Sequence, residues 1–141
     1  MLINWLRKGN VVVADRYVRS NQAHQGARKK GSERKRIIEH FKSLEFGLYG
    51  LPQPDLNIFL DLPVDFSLEA MRNQRRATDV NEENIRYQNE VRKVFRALHS
   101  EPPTASNLII PCIKKSGERR GRQEIADRVW NAVDERVLSR L

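Results

Sequence analysis

The sequence contains little cysteine, few aromatic residues and no long apolar run. Its one cysteine, Cys112, cannot form an internal disulfide, so nothing indicates an oxidising compartment. No stretch approaches the roughly 18 unbroken apolar residues of a membrane-spanning helix. The N-terminal residues also lack the apolar centre and small-residue cleavage site of a secretory signal. These absences lead us to expect a cytoplasmic protein without a membrane partner.

The residues that are present suffice for one folded domain. Of 141 residues, 39% are hydrophobic and 7% are aromatic, which argues against a disordered chain. A domain of this length buries roughly two-thirds of the surface that its unfolded chain exposes. We therefore expect a single domain over residues 1–141.

Positive charge is in excess, with 26 Lys and Arg against 18 Asp and Glu, a net charge of +8. It concentrates at residues 28–36 and 72–76, with a smaller group at 114–122. Such clusters are typical of surfaces that bind nucleic acid or phosphates, and they also occur as solvated faces. Because no recognised nucleic-acid motif or aromatic platform accompanies them, a basic nucleic-acid-binding module is kept as an alternative.

Short apolar runs alternate with helical patterns along the chain. The runs are continuous and rich in β-branched residues, as in strands covered on both faces of a parallel sheet. The alternation is typical of an α/β fold, although three strands make a thin sheet that resembles part of a larger domain. The predicted strands are 11–14, 56–62 and 108–110, the last one ending near Pro111. The predicted helices are 37–44 after a cap at Ser32, 66–75 with a cap at Asp65, 87–98, and 125–141; a short helix over 2–7 ends at Gly9.

Two charged residues follow the first predicted strand. In open parallel sheets, ligands bind outside the carboxyl ends of the strands, and Asp15 and Arg16 stand at that end. The planar guanidinium of Arg16 fits phosphate oxygens, and a carboxylate such as that of Asp15 holds metal-bound water or accepts a proton. A strand-end salt bridge is the other interpretation of the same pair.

The residues after Arg16 add hydrogen-bonding groups. A helix here would place Arg16, Ser20 and either Ala23 or His24 on adjacent turns, with Gln25 just beyond. A guanidinium at one end and a hydroxyl and an amide further along suit a ligand that carries a phosphate and a hydrogen-bonding base.

These residues resemble a known family. Residues 11–26 are similar to the thymidylate kinase pattern of an apolar strand followed by D-R-[YFH]-x-x-S-x-x-A-[YF]-Q-G, with His24 where an aromatic ring is usual. The resemblance continues in order along most of the chain. It covers P-D-L-x-x-x-L-D at 54–61, the arginine-rich lid with its D-x-x-E at 70–82, the following helix at 87–98, and the last strand at 109–113.

The resemblance implies an α/β, parallel-sheet, three-layer P-loop nucleoside-monophosphate-kinase-like fold. It also implies the reaction dTMP + ATP giving dTDP + ADP, with Mg²⁺, in dTTP biosynthesis, and a cytoplasmic homodimer. The chain departs from the family in having no G-x-x-x-x-G-K-[ST] loop to cradle phosphates. We therefore expect an incomplete fold, a single partial domain over 1–141 with its lid and flanking helices at about 66–86.

The same resemblance implies roles for the residues after the first strand. Arg16 would contact the phosphate of dTMP, and Asp15 would lie near the transferring phosphoryl group and orient magnesium-bound water or the attacking oxygen. Ser20, His24 and Gln25 would face the thymine base.

A second group of roles falls on the lid. Arg72 would lie beside the adenine of ATP. Arg75 and Arg76 would close over the phosphates and neutralise developing charge, which phosphoryl transfer requires. Asp79 and Glu82 would be lid carboxylates that hold arginines in place.

Without the phosphate loop, we expect this chain alone to transfer phosphate poorly. It would be an incomplete reading frame, a split enzyme completed by a separate P-loop polypeptide, or a degenerate copy that still binds. A non-catalytic nucleotide-binding or interaction subunit therefore stays an alternative. A deoxynucleoside kinase is the nearest alternative within the enzymes, but the S-x-x-A-x-Q-G continuation favours a monophosphate acceptor.

The remaining aromatic and titratable side chains are interpreted as structural. Trp130 is expected in the core, and Cys112 is expected there as a small hydrophobe rather than a nucleophile. His40 and His99 are expected at the surface. With His24, these histidines lack the spacing of a structural metal site.

Overall fold

The computed structural model describes residues 1–73, 82–100 and 107–141, and the chain divides into two compact units, 1–53 and 54–141. The first unit is helical, and the second combines helices with a parallel sheet. Among the described helices, none is long and apolar enough to cross a bilayer.

The helices of the first unit overlap the predicted ones, although the helix predicted over 37–44 begins earlier, at Gly31. They are α1 (Leu2–Arg7), α2 (Val18–Ala27), α3 (Gly31–Lys42) and a π-helical turn (Ser43–Leu48). As predicted, α1 ends before a glycine: Gly9 has a φ of 75°, and its N–H donates to the Leu6 carbonyl at 2.9 Å. Glycine adopts this left-handed backbone without a side-chain penalty, which is why it commonly follows a helix.

A side chain from α3 closes the end of α2. The Arg34 Nε–H donates to the carbonyls of Gly26 at 2.9 Å and Lys29 at 2.8 Å. Carbonyls at a helix C-terminus have no partner within the helix, so this arginine stabilises the junction of the two helices. The predicted cap at Ser32 is wrong, because α3 already begins at Gly31, with Lys30 at the capping position.

The predicted strand at 11–14 is also wrong. This segment is irregular; Val11 and Val13 are exposed, Val13 by 90% of its surface, and Val12 is half-buried. A strand needs a hydrogen-bonded neighbour, and the described residues of the first unit are helical or irregular. Residues 11–14 therefore have no neighbouring strand within the described residues 1–53 with which to form backbone hydrogen bonds, although their β-branched side chains favour a strand.

The second unit is built on two parallel strands. Its elements are β1 (Asn57–Asp61), α4 (Val64–Asn73), α5 (Glu82–Ser100), β2 (Asn107–Pro111), α6 (Arg122–Arg136) and a 3₁₀ turn (Leu138–Arg140). Phe59 pairs with Ile109 at the centre of the ladder. Pro111 ends β2 as predicted. The predicted Asp65 cap is wrong, since α4 begins at Val64 and Asp65 lies in its first turn.

The core of the second unit lies between the sheet and its helices. The buried hydrophobic side chains are Val64, Leu68, Val91, Val94, Leu98, Ile110, Cys112 and Ala132. Phe59 and Phe95 stack with their ring centroids 4.9 Å apart. The α/β class of the prediction is confirmed in this coarse form: a helix-rich chain whose described residues carry a two-stranded parallel sheet, not the predicted three strands.

Two burial predictions in the second unit are wrong. Trp130 is 61% exposed, because it lies two residues before the buried Ala132 and so about 200° away around α6. His99 is 7% exposed, and its Nδ1 lies 2.8 Å from the Phe95 carbonyl. It follows Phe95 by one helical turn and therefore shares the buried face of α5.

Candidate functional site

Arg16 stands immediately before α2 in an unusual backbone conformation. Its φ is 68°, the left-handed region, and among the described residues it is the one non-glycine there. A side chain in this region costs roughly 1–2 kcal/mol. Such conformations persist where surrounding contacts impose them, often at functional sites. Arg16 was predicted within a helix; it precedes α2 instead, which begins at Val18.

The turn at Arg16 carries its guanidinium along the first two turns of α2. Its Nε–H donates to Ser20 Oγ at 3.0 Å, and an NH2 hydrogen is directed at His24 Nε2 at 2.8 Å. Ser20 and His24 are four residues apart, so they share one face of the helix. The structure therefore brings together three of the predicted site residues.

The Arg16 guanidinium has most of its donors available to a ligand. An arginine has five N–H donors, and Ser20 and His24 engage two of them. Both acceptors are uncharged when the imidazole is neutral, so they orient the guanidinium without neutralising it. An exposed, oriented cation of this kind can bind an anion with two parallel hydrogen bonds.

The protonation state of His24 is tied to this contact. A nitrogen can accept from Arg16 only if it carries no proton, so an accepting Nε2 places the ring proton on Nδ1. Partial burial, followed by the charges of Arg16 and Arg28, lowers the pKa of His24 below its usual 6.5. The surroundings thus favour the neutral ring that the hydrogen bond needs.

A buried polar network supports the other side of α2. Gln22 is 1% exposed, and its amide donates to Glu45 Oε2 at 2.9 Å. Asn21 donates to Glu45 Oε1 at 3.0 Å. The carboxylate of the π-helical turn thus receives a donor on each oxygen, which satisfies a buried charge. Sequence reasoning missed this network, because Glu45 lies in an otherwise apolar stretch and has no local partner.

Tyr17 connects the same region to the end of the unit. Its hydroxyl donates to the Pro52 carbonyl at 3.0 Å. Burial and the neighbouring Glu45 raise the pKa of the Tyr17 phenol above its usual value, so it remains a donor. Tyr17 and the Gln22–Glu45 pair hold the start of α2, from which the contacts of Arg16 are made.

Two other predicted residues of this segment lie outside the Arg16 contacts. Asp15 is exposed next to Arg16 in the chain. Gln25 is half-buried one residue beyond His24, and helix geometry places it about 100° further around α2. Their roles at the phosphoryl group and the base stay predictions.

The predicted lid residues fall outside the part of the chain whose side chains the structure describes. Arg75, Arg76 and Asp79 lie outside the described residues, and so do the side chains of Arg72 and Glu82. The adenine and lid roles assigned to them stay predictions.

A second arginine cluster, not predicted from sequence, lies at the end of β1. Asp61 is 7% exposed; it accepts from Arg92 Nε at 2.6 Å and lies 3.5 Å from Arg96 NH1. Arg92 and Arg96 are four residues apart on α5. That spacing after a strand-ending aspartate is the signal that could have found the cluster.

Cys112 follows β2 and is buried, as predicted. Burial and Asp61 raise the pKa of its thiol, although Arg119 and Arg120 act in the opposite direction. A raised pKa opposes thiolate formation, which agrees with the prediction of a small hydrophobe rather than a nucleophile.

Comparison with known proteins gives a consistent result. The model of the family "Thymidylate kinase" matches residues 2–110. A thymidylate kinase of Rhodopseudomonas palustris (strain TIE-1) is 32% identical over 136 residues, 94% of this chain and 54% of the relative. One from Teredinibacter turnerae is 33% identical over 98 residues, covering 70% and 45%. The chain thus spans about half the length of these relatives. No solved structure shows a significant match.

Proposed function

Since this chain belongs to the thymidylate kinase family, we propose that it supplies the monophosphate-binding part of a thymidylate kinase. The reaction would transfer phosphate from ATP to dTMP and give dTDP, a step of dTTP biosynthesis. The observation that carries this proposal is the Arg16 guanidinium, exposed and oriented by two uncharged acceptors. That arrangement suits the dianionic phosphate of a nucleotide.

Each side chain of this segment has a proposed task. Arg16 would bind the phosphate of dTMP, with Ser20, His24 and Gln25 toward the base. The Asp15 carboxylate would lie beside the transferring phosphoryl group. Positioning and electrostatics supply most of the catalysis of phosphoryl transfer, so these groups would act by holding dTMP in line rather than by covalent chemistry.

ATP would be the co-substrate of the reaction, and Mg²⁺ would be its metal cofactor. The described residues contain no group of three or more His, Cys, Asp or Glu side chains that could hold a metal ion. Mg²⁺ commonly needs one or two carboxylates and takes its other ligands from phosphates and water, and the exposed Asp15 fits that need. Arg72, Arg75 and Arg76, with Asp79 and Glu82, remain the proposed adenine and lid residues within 66–86.

The rest of the enzyme is part of the same proposal. Residues 1–141 would be one partial domain of the three-layer P-loop fold in a cytoplasmic homodimer. The phosphate loop would come from a segment outside residues 1–141, either in the same reading frame or in a separate polypeptide. Loss of even one donor to a developing negative charge costs roughly 100-fold in rate. We therefore propose that the chain alone binds dTMP with little turnover, as a non-catalytic nucleotide-binding subunit would.

Calorimetry with dTMP and thymidine tests this function. dTMP should bind, thymidine should bind more weakly, and Arg16→Ala should weaken dTMP at least about tenfold, since a charged hydrogen bond contributes roughly 1.5–3 kcal/mol. Arg36→Ala removes an exposed arginine of α3 and serves as the matched control, with an expected change below about twofold.

Three results would contradict this function. Absence of dTMP binding excludes the proposed site, and equal binding of thymidine indicates a nucleoside acceptor. If Arg16→Ala and Arg36→Ala lower the dTMP affinity equally, and the chain binds DNA or RNA in a salt-sensitive way, the protein is a basic nucleic-acid-binding module.

A further inference from the structure

The imidazole of His24 contacts the arginine on which dTMP binding would depend. Its Nε2 lies 2.8 Å from Arg16 NH2, while Ser20 Oγ accepts from Arg16 Nε at 3.0 Å. These two hydrogen bonds fix the guanidinium at two of its nitrogens, Nε and NH2. An arginine side chain otherwise has large rotamer freedom, which costs free energy when a ligand immobilises it.

We propose that His24 is a positioning residue, which together with Ser20 holds the Arg16 guanidinium in its phosphate-binding orientation by accepting a hydrogen bond at Nε2. This inference rests on the proposed function for its consequence, since the orientation matters only if Arg16 binds a phosphate. The contact itself is a property of the free chain.

The backbone of Arg16 explains why such a hold is needed. Arg16 has a φ of 68° and lies before the first residue of α2, so its side chain is outside the regular arrangement of side chains on the helix. The anchors come from α2, whose own position is fixed by the Gln22–Glu45 hydrogen bond of 2.9 Å. Strain at one residue is thus maintained by a rigid neighbouring element.

The chemistry of the acceptor distinguishes histidine from an aromatic hydrocarbon. A neutral imidazole offers an in-plane lone pair, whereas a phenyl ring offers only its face. His24→Phe therefore keeps a ring beside a bound base and removes the acceptor. His24→Gln keeps an acceptor, because the Gln carbonyl oxygen can accept at nearly the same reach.

The charged surroundings of the ring favour the accepting form. Arg16 lies before α2 and Arg28 follows it, and both disfavour an imidazolium, as does burial. From α3, which packs on α2, Arg34 donates to the carbonyls of Gly26 and Lys29 at the end of the helix. Protonation in acid would remove the acceptor and add a cation beside Arg16.

Nuclear magnetic resonance of the labelled full chain tests the contact without any ligand. At pH 7.5 the nitrogen shifts of His24 should show a protonated Nδ1 and a bare Nε2. In Arg16→Ala the ring should lose its preference for this tautomer. A proton on Nε2 of the unmodified chain at this pH would overturn the positioning role.

A double-mutant cycle tests the consequence, with dTMP as the probe. His24→Phe should weaken dTMP about fivefold in the unmodified chain and less than about twofold when Arg16 is already alanine, since coupled residues are non-additive. His24→Gln should restore affinity to within about twofold. His40→Phe, at an exposed histidine of α3, is the control and should have no effect.

The two proposals fail in different ways. If His24→Phe lowers the dTMP affinity equally in the unmodified chain and in Arg16→Ala, His24 acts directly on the ligand. That result would overturn the positioning role. If the chain binds no dTMP, the proposed function is wrong, and the tautomer of His24 still decides whether it holds Arg16.

Discussion

Arg16 in the first unit and Arg92 in the second both direct a guanidinium at polar neighbours, but the neighbours differ in charge. Arg16 contacts a hydroxyl and an imidazole, whereas Arg92 donates to the buried carboxylate of Asp61 at 2.6 Å. Uncharged acceptors orient a cation and leave its field available to a ligand. A carboxylate orients it and cancels that field. The same side chain is therefore oriented by uncharged groups in the first unit and paired with a carboxylate in the second.

The backbone around the two arginines differs in the same sense. Arg92 lies within α5, one of the regular elements against the sheet, in ordinary helical geometry. Arg16 occupies a left-handed position outside any helix. Strain placed at an exposed cation is common at functional sites, and its absence at Arg92 agrees with a structural role.

The largest effect should come from breaking the Asp61 cluster. Asp61→Asn leaves Arg92, whose side chain is 26% exposed, without its charged partner. Breaking a largely buried pair costs about 3 kcal/mol. Urea unfolding measures the loss, and hydrogen exchange should assign it to residues 54–141.

The exposed pair between Lys114 and Glu118 is the control for that experiment. Its atoms are 3.8 Å apart, and the Glu118 side chain is 72% exposed. Glu118→Gln should change the free energy of unfolding by less than about 0.5 kcal/mol. Equal effects of the two substitutions would mean that the Asp61 pair contributes no more than a surface pair.

A smaller effect should separate strain from binding at Arg16. Arg16→Gly should be more stable than Arg16→Ala by about 0.5 kcal/mol, because glycine tolerates φ at 68° but loses more entropy on folding. Both variants should bind dTMP equally poorly. In α3, Arg36→Gly should instead be less stable than Arg36→Ala by about 1 kcal/mol. If the glycine variant is less stable than the alanine variant at both positions, Arg16 is unstrained.

The smallest effect should appear in the pH dependence of the first unit. The pKa of His24 is lowered in the native state from 6.5, so the unfolded chain binds the proton more readily. The contribution of the neutral His24 ring to the free energy of unfolding is therefore fully present above pH 6.5. It is lost as the pH falls through that value toward the native pKa. We expect the free energies of unfolding of the unmodified chain and of His24→Gln, measured at several pH values, to change in parallel near neutral pH and to diverge only in acid. Parallel curves would contradict the lowered pKa.

Elements with strong local patterns were predictable. The stripe at 87–98 lies within α5, the run at 56–62 contains β1, and Gly9 follows α1. In each case neighbouring residues determine the outcome, through helical spacing, β-branching or the freedom of glycine. The family resemblance was visible for the same reason, because its motifs are short and ordered along the chain.

Other features depended on residues far apart in sequence. The run at 11–14 has the composition of a strand but no partner in its unit, and Trp130 lies on the exposed side of α6. Glu45 meets Gln22 across 23 positions, and Arg92 meets Asp61 across 31. No local window contains both members of such a pair.

The sequence by itself determined the periodicities, the chain order of the thymidylate kinase motifs and the presence of Arg16, Ser20 and His24 at compatible spacing. Only the tertiary structure decided that Arg16 leaves the helix in a left-handed turn and that His24 accepts from it. Likewise it decided that Arg92 pairs with the buried carboxylate of Asp61. The reason is physical: periodicity is set by backbone geometry within a few residues, whereas burial and pairing are set by which surfaces fold against each other.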